Sequence, residues 1–200
     1  MDVRICFIGD SFVNGTGDPT YLGWTGRVCA EVAQQGHAVT AYNLGIRRET
    51  SLQIEQRWPQ EVVCRLPNDC QGRLVFSFGA NDMTVEQGSN RVDLATSIAA
   101  ARRLLQAASR QYPVLMVGPP AIAVNPAHTD RITHLSAQYG DLCHSLGIPY
   151  LETCRLTAQS VLWSAEVQAG DGAHPGAGGY GELATLVSNW SAWRDWFDID

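Results

Sequence analysis

The sequence ICFIGDSFVNGTGD, residues 5–18, changes from apolar to polar at Gly9. Its first four residues have the continuous apolar character of a strand that is covered on both faces of a parallel sheet. Asp10 and Ser11 follow at the carboxyl end of that strand. Because ligands of open α/β sheets bind at this edge, the stretch predicts a parallel sheet with a polar site at its edge.

Strand-like and helix-like segments alternate along the rest of the chain. Helices are predicted at about 23–35, 50–66, 92–111 and 130–146, with a shorter one at 158–167 and a last one after Gly179, and Pro59 is expected to start or kink a helix. Alternation of this kind is typical of parallel strands joined by crossover helices. We therefore predict an α/β fold, a three-layer α/β/α sandwich whose parallel sheet has about five strands, at 3–8, 38–43, 74–78, 114–117 and 148–151.

Length, composition and charge limit the functional classes. The 200 residues have an even composition, which predicts a single domain over 1–200. The net charge of −6 argues against a nucleic-acid-binding surface. No signal peptide or apolar run of about 20 residues is visible, so we expect a cytoplasmic protein without a membrane span. The six cysteines form no C-x-x-C pair, which argues against a metal site or a disulfide framework.

Four polar segments fall at predicted strand ends or before the last helix. A serine hydroxyl needs a base to take its proton, and that base needs a carboxylate to orient it. Ser11 is the candidate nucleophile, with His174 as base and Asp171, three residues earlier, as its partner. The backbone N–H groups of Ser11 and Gly45 and the side-chain amide of Asn81 are candidate donors to an oxyanion. Each segment alone is ordinary turn chemistry, and the ordered set is what indicates a catalytic site.

The ordered set resembles the GDSL, or SGNH, hydrolases. The four blocks of that family match here as IGDSF with Ser11, YNLGIRRETS with Gly45, SFGANDM with Asn81 and DGAHPGAGGY with His174. The resemblance spans residues 5–180. It implies the flavodoxin-like SGNH fold and hydrolysis of a small-molecule ester or thioester. It also implies a triad of Ser11, Asp171 and His174, an oxyanion hole of Ser11, Gly45 and Asn81, and no cofactor or metal.

Two residues depart from the pattern of that family. Phe12 replaces the usual leucine after the serine, which we expect to change packing rather than chemistry. Arg48, preceded by Arg47, stands where relatives often carry a second glycine. Exposed arginines at the start of a helix are the ordinary interpretation, and a guanidinium fork for an anionic substrate is the alternative. Asp10 and Asp82 are expected to accept loop N–H groups, Asp82 by fixing the loop that carries Asn81.

Other interpretations of the same residues remain open. Asp10, Asn81, Asp82 and His174 are also plausible ligands in a metal-dependent phosphoesterase, and a non-catalytic binding module on the same scaffold is a further alternative. Four aromatic residues are either pocket walls or core, namely Tyr21, Trp24, Trp58 and Trp163. A second aromatic set is predicted to lie on one helical face and to dock on the core or form a homo-oligomer interface, and it comprises Trp190, Trp193, Trp196 and Phe197.

Overall fold

Five parallel strands form the central sheet in the computed structural model of the protein, which describes residues 2–199. The strands of this sheet are β1 (Val3–Gly9), β2 (Val39–Gly45), β3 (Gln71–Ser77), β6 (Val114–Val117) and β7 (Tyr150–Leu151). Their order is β2-β1-β3-β6-β7, and each predicted strand is present. Met1 and Asp200, which the single-domain prediction includes, lie outside the described residues.

Helices connect and flank the strands. Their bounds are α1 (Ser11–Asn14), α2 (Gly23–Gln34), α3 (Ser51–Val63), α4 (Leu94–Ser109), α5 (Pro126–Leu146), α6 (Cys154–Gln159), α7 (Val161–Ala169), α8 (Ala177–Ser188) and α9 (Ser191–Arg194), followed by a 3₁₀ turn (Asp195–Phe197). Helix α2 packs with α8, α3 with α4, and α4 with α5. The α/β fold with a five-stranded parallel sheet is thus confirmed.

Three helix predictions differ from the structure in their bounds. Helix α5 begins four residues before the predicted start, because Asn125 caps it and Pro126 suits its first turn. The single helix predicted at 158–167 is two helices, since Ser160 interrupts the chain and its side chain caps α7. The last long helix begins at Ala177, before Gly179, and Pro59 lies inside α3 without starting a new helix.

A short antiparallel hairpin was not predicted from the sequence. It consists of β4 (Val85–Glu86) and β5 (Ser89–Asn90), joined by Gln87 and Gly88. Both turn residues have positive φ, 53° and 86°, as a two-residue hairpin turn requires. Strands of two residues are too short for an alternating apolar pattern, so only the Gln-Gly turn could have indicated the hairpin.

The strand ends that carry the polar segments lie side by side. Gly9 is the register partner of Gly45 on one side and of Ser77 on the other. The three strands therefore end at the same level, and the loops that follow them start from one edge of the sheet. None of the helices within residues 2–199 has the length and apolar character needed to cross a bilayer.

The aromatic residues near the C-terminus pack against the protein's own core. Trp193 and Phe197 are buried, while Trp190 and Trp196 are half-buried against the same cluster. The ring of Trp193 lies 6.1 Å from the ring of Phe7 on β1. The four residues span a helix and a 3₁₀ turn rather than one helical face, and their packing favours core docking over an oligomer interface.

Replacing Trp193 with alanine is expected to lower the free energy of unfolding by about 3–5 kcal/mol, because it removes a large buried ring and leaves a cavity. Trp190→Ala is the matched control, since that ring is only half-buried, and its loss should be clearly smaller. Urea unfolding of both variants measures the difference. Equal losses would contradict docking of Trp193 in the core.

Candidate active site

Ser11, His174 and Asp171 form a continuous hydrogen-bonded chain. The Oγ atom of Ser11 lies 2.7 Å from Nε2 of His174. The Nδ1 atom of the same ring lies 2.7 Å from Oδ2 of Asp171. A carboxylate accepts the Nδ1 proton, which leaves Nε2 as the acceptor that faces the serine hydroxyl. The geometry therefore suits removal of the Ser11 proton by His174.

Asp171 is held as a carboxylate by the loop that contains it. Partial burial by itself raises the pKa of Asp171, but the hydrogen bonds from His174 and Ala173 outweigh it and lower the pKa to about 2. Its Oδ1 accepts the backbone N–H groups of Ala173 at 3.0 Å and His174 at 2.9 Å. The orienting group therefore stays ionised at any pH near neutrality.

Glu166 on α7 holds the segment that follows His174. The carboxylate of Glu166 accepts the backbone N–H groups of Gly176, Gly178 and Gly179 at 2.7–3.0 Å. These donors open helix α8, where N–H groups lack partners within the helix and favour a negative charge. The sequence analysis did not predict this role of Glu166. The glycine-rich segment after His174 was the one signal that its backbone N–H groups could bind a carboxylate.

Ser11 is positioned by the turn from β1 into α1. The side chain of Asp10 caps this short helix by accepting the backbone N–H of Phe12 at 3.0 Å. The aromatic ring of Phe12 lies 5.0 Å from the ring of His174 and stacks on buried Trp163 at 6.2 Å. Phe12 thus affects the site through packing, as the sequence predicted.

Gly45 packs against helix α1, which begins at Ser11, and is not among the residues that line the cavity. A Cβ atom on Gly45 would lie 2.2 Å from the backbone nitrogen of Asn14, so only glycine lets α1 rest on the end of β2. The N–H of Gly45 donates to Oδ1 of Asn43 at 3.0 Å. This N–H is therefore already engaged, and Gly45 is not among the residues that line the cavity; the oxyanion role predicted for Gly45 stays a prediction.

Arg48, three residues after Gly45, has a backbone conformation that glycine favours. Its φ is 67°, a left-handed conformation that glycine adopts far more readily. The residue lines the same cavity as Ser11, and its backbone N–H donates to no other group in residues 2–199. The Gly-to-Arg departure seen in the sequence was the signal for this position.

Asn81 lines the same cavity as Ser11, and its amide is already engaged. Its Nδ2 donates to the backbone oxygen of Glu49 at 3.1 Å and to Oδ2 of Asp10 at 3.3 Å. Donation to an oxyanion therefore requires exchange of one of these bonds, and the longer one to Asp10 is the weaker. Burial raises the pKa of Asp10 to about 7, against the opposing effect of the Phe12 N–H bond.

Asp82 ties the Asn81 loop to two helices. Its Oδ1 accepts the backbone N–H of Ser51 at 2.8 Å, at the start of α3, and its Oδ2 accepts the hydroxyl of Ser97 on α4. The carboxyl group is fully buried, and burial raises its pKa while these bonds oppose the shift. This contact set fits the predicted role of fixing the loop that aims Asn81.

Arg57 is a support that sequence reasoning missed. Its guanidinium donates to the backbone oxygens of Leu44 at 2.7 Å and Gly9 at 3.1 Å, and to Glu49 at 2.6 Å. It therefore joins the ends of β1 and β2 to the segment whose carbonyl holds Asn81. An arginine three residues after buried Ile54 lies on the apolar face of α3, which was the available signal.

A cavity of about 300 Å³ opens over Ser11 and His174. Its apolar walls are Phe12, Ala80, Ile122 and Ala173, and its charged rim is Arg47, Arg48, Glu86 and Arg91. None of the four aromatic residues offered as pocket walls lines it. Trp24, Trp58 and Trp163 are buried in the core, and Tyr21 is exposed.

A second histidine, His128, lines the same cavity as Ser11 and His174. Its Nε2 lies 2.9 Å from the backbone oxygen of Ala80, and a carbonyl can only accept, so this nitrogen carries a proton. Burial lowers the pKa of His128, with the Ala80 bond opposing. Since Ala80 precedes Asn81, this bond holds the same loop that Asp82 ties from the other side.

No cluster of metal ligands accompanies the site. Within residues 2–199, no three His, Cys, Asp or Glu side chains are grouped so that they could hold a metal ion. Asp10, Asp82 and His174, which the metal-dependent alternative uses, are instead bonded to Phe12, Ser51 and Ser11.

The loop between α1 and α2 packs against the segment that contains His174. A Cβ on Gly17 would lie 3.1 Å from the Cβ of His174, and the Tyr180 hydroxyl donates to the backbone oxygen of Thr16 at 2.8 Å. Asp18 organises this loop through an ion pair with Arg27 and by accepting the N–H groups of Thr20 and Gly23. Burial by itself raises the pKa of Asp18, but these partners outweigh it and lower the pKa to about 2.

Comparison with protein families and solved structures identifies relatives of this chain. Residues 7–181 match the family described as GDSL-like Lipase/Acylhydrolase. A search of curated protein sequences gave no significant match.

Several solved structures share the fold. A lipase/acylhydrolase from Enterococcus faecalis is 22% identical, with a TM-score of 0.79 and 96% of each chain covered. The acetylxylan esterase Axe2 from Geobacillus stearothermophilus is 17% identical, with a TM-score of 0.75, covering 92% of this chain and 91% of that one. The esterase EstA from Pseudoalteromonas sp. is 13% identical, with a TM-score of 0.72, covering 98% of this chain and all of that one.

The buried carboxylate of Asp18 should make stability depend on pH. A carboxyl whose pKa is lower in the folded state stabilises above its ordinary pKa of 3.8, and loses that contribution as the pH falls through about 2. We expect Asp18→Asn to lower the free energy of unfolding by about 1–2 kcal/mol at neutral pH. Thermal unfolding at several pH values should show the difference from wild type shrinking toward pH 2. The exposed Asp69→Asn is the control, and a difference that did not vary with pH would contradict the assignment.

Proposed function

Because this chain belongs to the GDSL-like lipase/acylhydrolase family, we propose that this ester hydrolase acts through a covalent acyl-enzyme on Ser11. The observation that carries the proposal is the chain of hydrogen bonds from Ser11 through His174 to Asp171. Such a chain activates a hydroxyl that is otherwise a poor nucleophile.

In the proposed reaction, Oγ of Ser11 attacks the acyl carbon while Nε2 of His174 takes its proton. The tetrahedral intermediate collapses, the bond to the leaving oxygen or sulfur breaks, and His174 returns the proton to that atom. Water then attacks the acyl-enzyme as His174 takes one of its protons. As the second intermediate collapses, the bond between the acyl carbon and Oγ breaks and His174 returns its proton to Oγ, which releases the carboxylic acid and restores the serine hydroxyl. Asp171 stabilises the imidazolium in both halves.

We assign the oxyanion donors to the backbone N–H groups of Ser11 and Arg48 and to the amide of Asn81. Ser11 is the first residue of α1, where backbone N–H groups have no partner within the helix. Arg48 replaces Gly45 in this set because its N–H is free and the N–H of Gly45 is not. For Asn81, the growing charge on the substrate oxygen competes for Nδ2 with Asp10 and Glu49.

Two alternatives predict different outcomes from simple reagents. A metal-dependent phosphoesterase would lose activity in a chelator, whereas the serine mechanism would not. A non-catalytic binding module would not react with a fluorophosphonate, which labels only an activated serine. The bond between Ser11 and His174 favours the serine mechanism over both.

Ser11→Ala is expected to lower the turnover of a 4-nitrophenyl ester by about 10⁴-fold or more and to abolish fluorophosphonate labelling, because it removes the nucleophile. The exposed Ser109→Ala is the control and should keep both properties. Steady-state kinetics and intact-mass measurement report the two effects. Full turnover in a folded Ser11→Ala protein would refute the acyl-enzyme proposal.

The proposed oxyanion role of Arg48 concerns its backbone, so glycine and valine should behave differently. Arg48→Gly keeps the N–H and suits the positive φ, and it should retain most of kcat for a neutral ester. Arg48→Val disfavours that conformation and should displace the N–H, lowering kcat by about tenfold or more. Equal kcat values for the glycine and valine variants would argue against the backbone role.

Asn81→Ala should lower kcat by about 10²–10³, because it removes the proposed side-chain donor to the oxyanion.

A further inference from the structure

We infer that the preferred substrate carries an anionic group, a carboxylate or a phosphate, which Arg47 binds together with Arg48 at the rim of the cavity. This inference rests on the proposed function, since it specifies the substrate of the same site. Of the two interpretations of these arginines, it adopts the guanidinium fork.

The rim carries excess positive charge in an acidic protein. Three arginines and one glutamate line the opening, whereas the whole chain has a net charge of −6. All 14 cationic side chains of the chain are arginines, which recognise carboxylates and phosphates in a bidentate manner. A cluster of one sign beside an apolar cleft attracts ligands of the opposite sign.

Two of the rim arginines already bind a carboxylate. Glu86 on the β4–β5 hairpin accepts a hydrogen bond from Arg48 at 3.2 Å, and Nε of Arg91 lies 3.6 Å from the same oxygen. Arg91 also donates to the backbone oxygen of Arg48 at 2.8 Å, which makes it a structural member of the rim. Glu86 therefore shows that guanidinium groups at this opening converge on an anion.

Arg47 is the unmatched charge of the rim. Its guanidinium makes no hydrogen bond or ion pair with any other side chain in residues 2–199, although it lines the same cavity as Ser11. Its neighbour Arg48 is 78% exposed and shares its carboxylate partner with Arg91, so it is available to a second anion. A substrate anion between these two side chains would offset the remaining charge of the rim.

The carboxyl groups near Ser11 do not pair with Arg47 in place of a substrate anion. Asp171 is bonded to His174, and Glu49 is bonded to Arg57. Asp10 is buried and accepts hydrogen bonds from Phe12 and Asn81. Each of these carboxyl groups is therefore engaged away from Arg47.

The test compares 4-nitrophenyl hemisuccinate with its neutral methyl ester, using the ratio of the two kcat/KM values as the readout. Arg47→Gln should lower this ratio by about tenfold, mainly through a higher KM for the anionic ester. Glu86→Gln should raise the ratio, because it frees Arg48 and Arg91 for the substrate. Arg47→Lys, which keeps the charge without the fork, should fall between wild type and Arg47→Gln.

Arg102→Gln is the matched control, since Arg102 is exposed on α4 and does not line the cavity, and it should leave the ratio unchanged. An unchanged ratio in Arg47→Gln, or a fall in Glu86→Gln, would overturn the inference. Failure of the proposed serine mechanism would give a different result: the Ser11→Ala variant would still turn over the neutral ester.

A second measurement identifies the anion. Succinate and inorganic phosphate are tested as competitive inhibitors of neutral-ester hydrolysis, first with wild type and then with Arg47→Gln. Competition by either anion that Arg47→Gln weakens about tenfold supports the site, and the tighter inhibitor shows whether carboxylate or phosphate is preferred. If neither competes with the neutral ester, the rim binds no substrate anion and the inference is wrong.

Discussion

The close contact between helix α1 and the ends of two strands is the constraint on which the site depends. Gly9 and Gly45 are register partners, and neither has room for a side chain. A Cβ on Gly9 would lie 1.9 Å from the backbone oxygen of Ser77, and one on Gly45 would meet α1. Since no side chain separates the strands from the helix, Ser11 is fixed at the sheet edge, within hydrogen-bonding distance of His174.

Charged side chains that are buried or half-buried hold the segments around Ser11 in place. Arg57 joins the ends of β1 and β2 to Glu49, Asp82 joins the Asn81 loop to α3 and α4, and Glu166 holds the start of α8. Charged groups are costly to bury unless they are paired, so each is bonded on several sides. The segments that carry Ser11, Asn81 and His174, which are far apart in the chain, thus share one rigid frame.

The site combines an apolar cleft with a basic rim. Phe12 and Ile122 form part of the wall beside the triad, and the arginines stand at the opening. The departure of Arg48 from the usual glycine has two consequences in one residue. Its backbone keeps the left-handed conformation and a free N–H, while its side chain adds charge to the rim. The proposed oxyanion donor and the proposed substrate contact therefore belong to the same residue.

Local patterns in the sequence determined the parallel sheet and most helices, and they selected Ser11, Asn81, Asp171 and His174 as candidate residues, because strand-end motifs and apolar periodicity are short-range signals. The structure alone decided which residues after β2 line the cavity. Gly45 and Arg48 are three residues apart, and only the packing of α1 shows that the first is a spacer and the second a cavity residue. It also decided the roles of Arg57, His128 and Glu166, whose partners lie in distant segments. Such roles depend on contacts made across the fold, and these are absent from any local window of sequence.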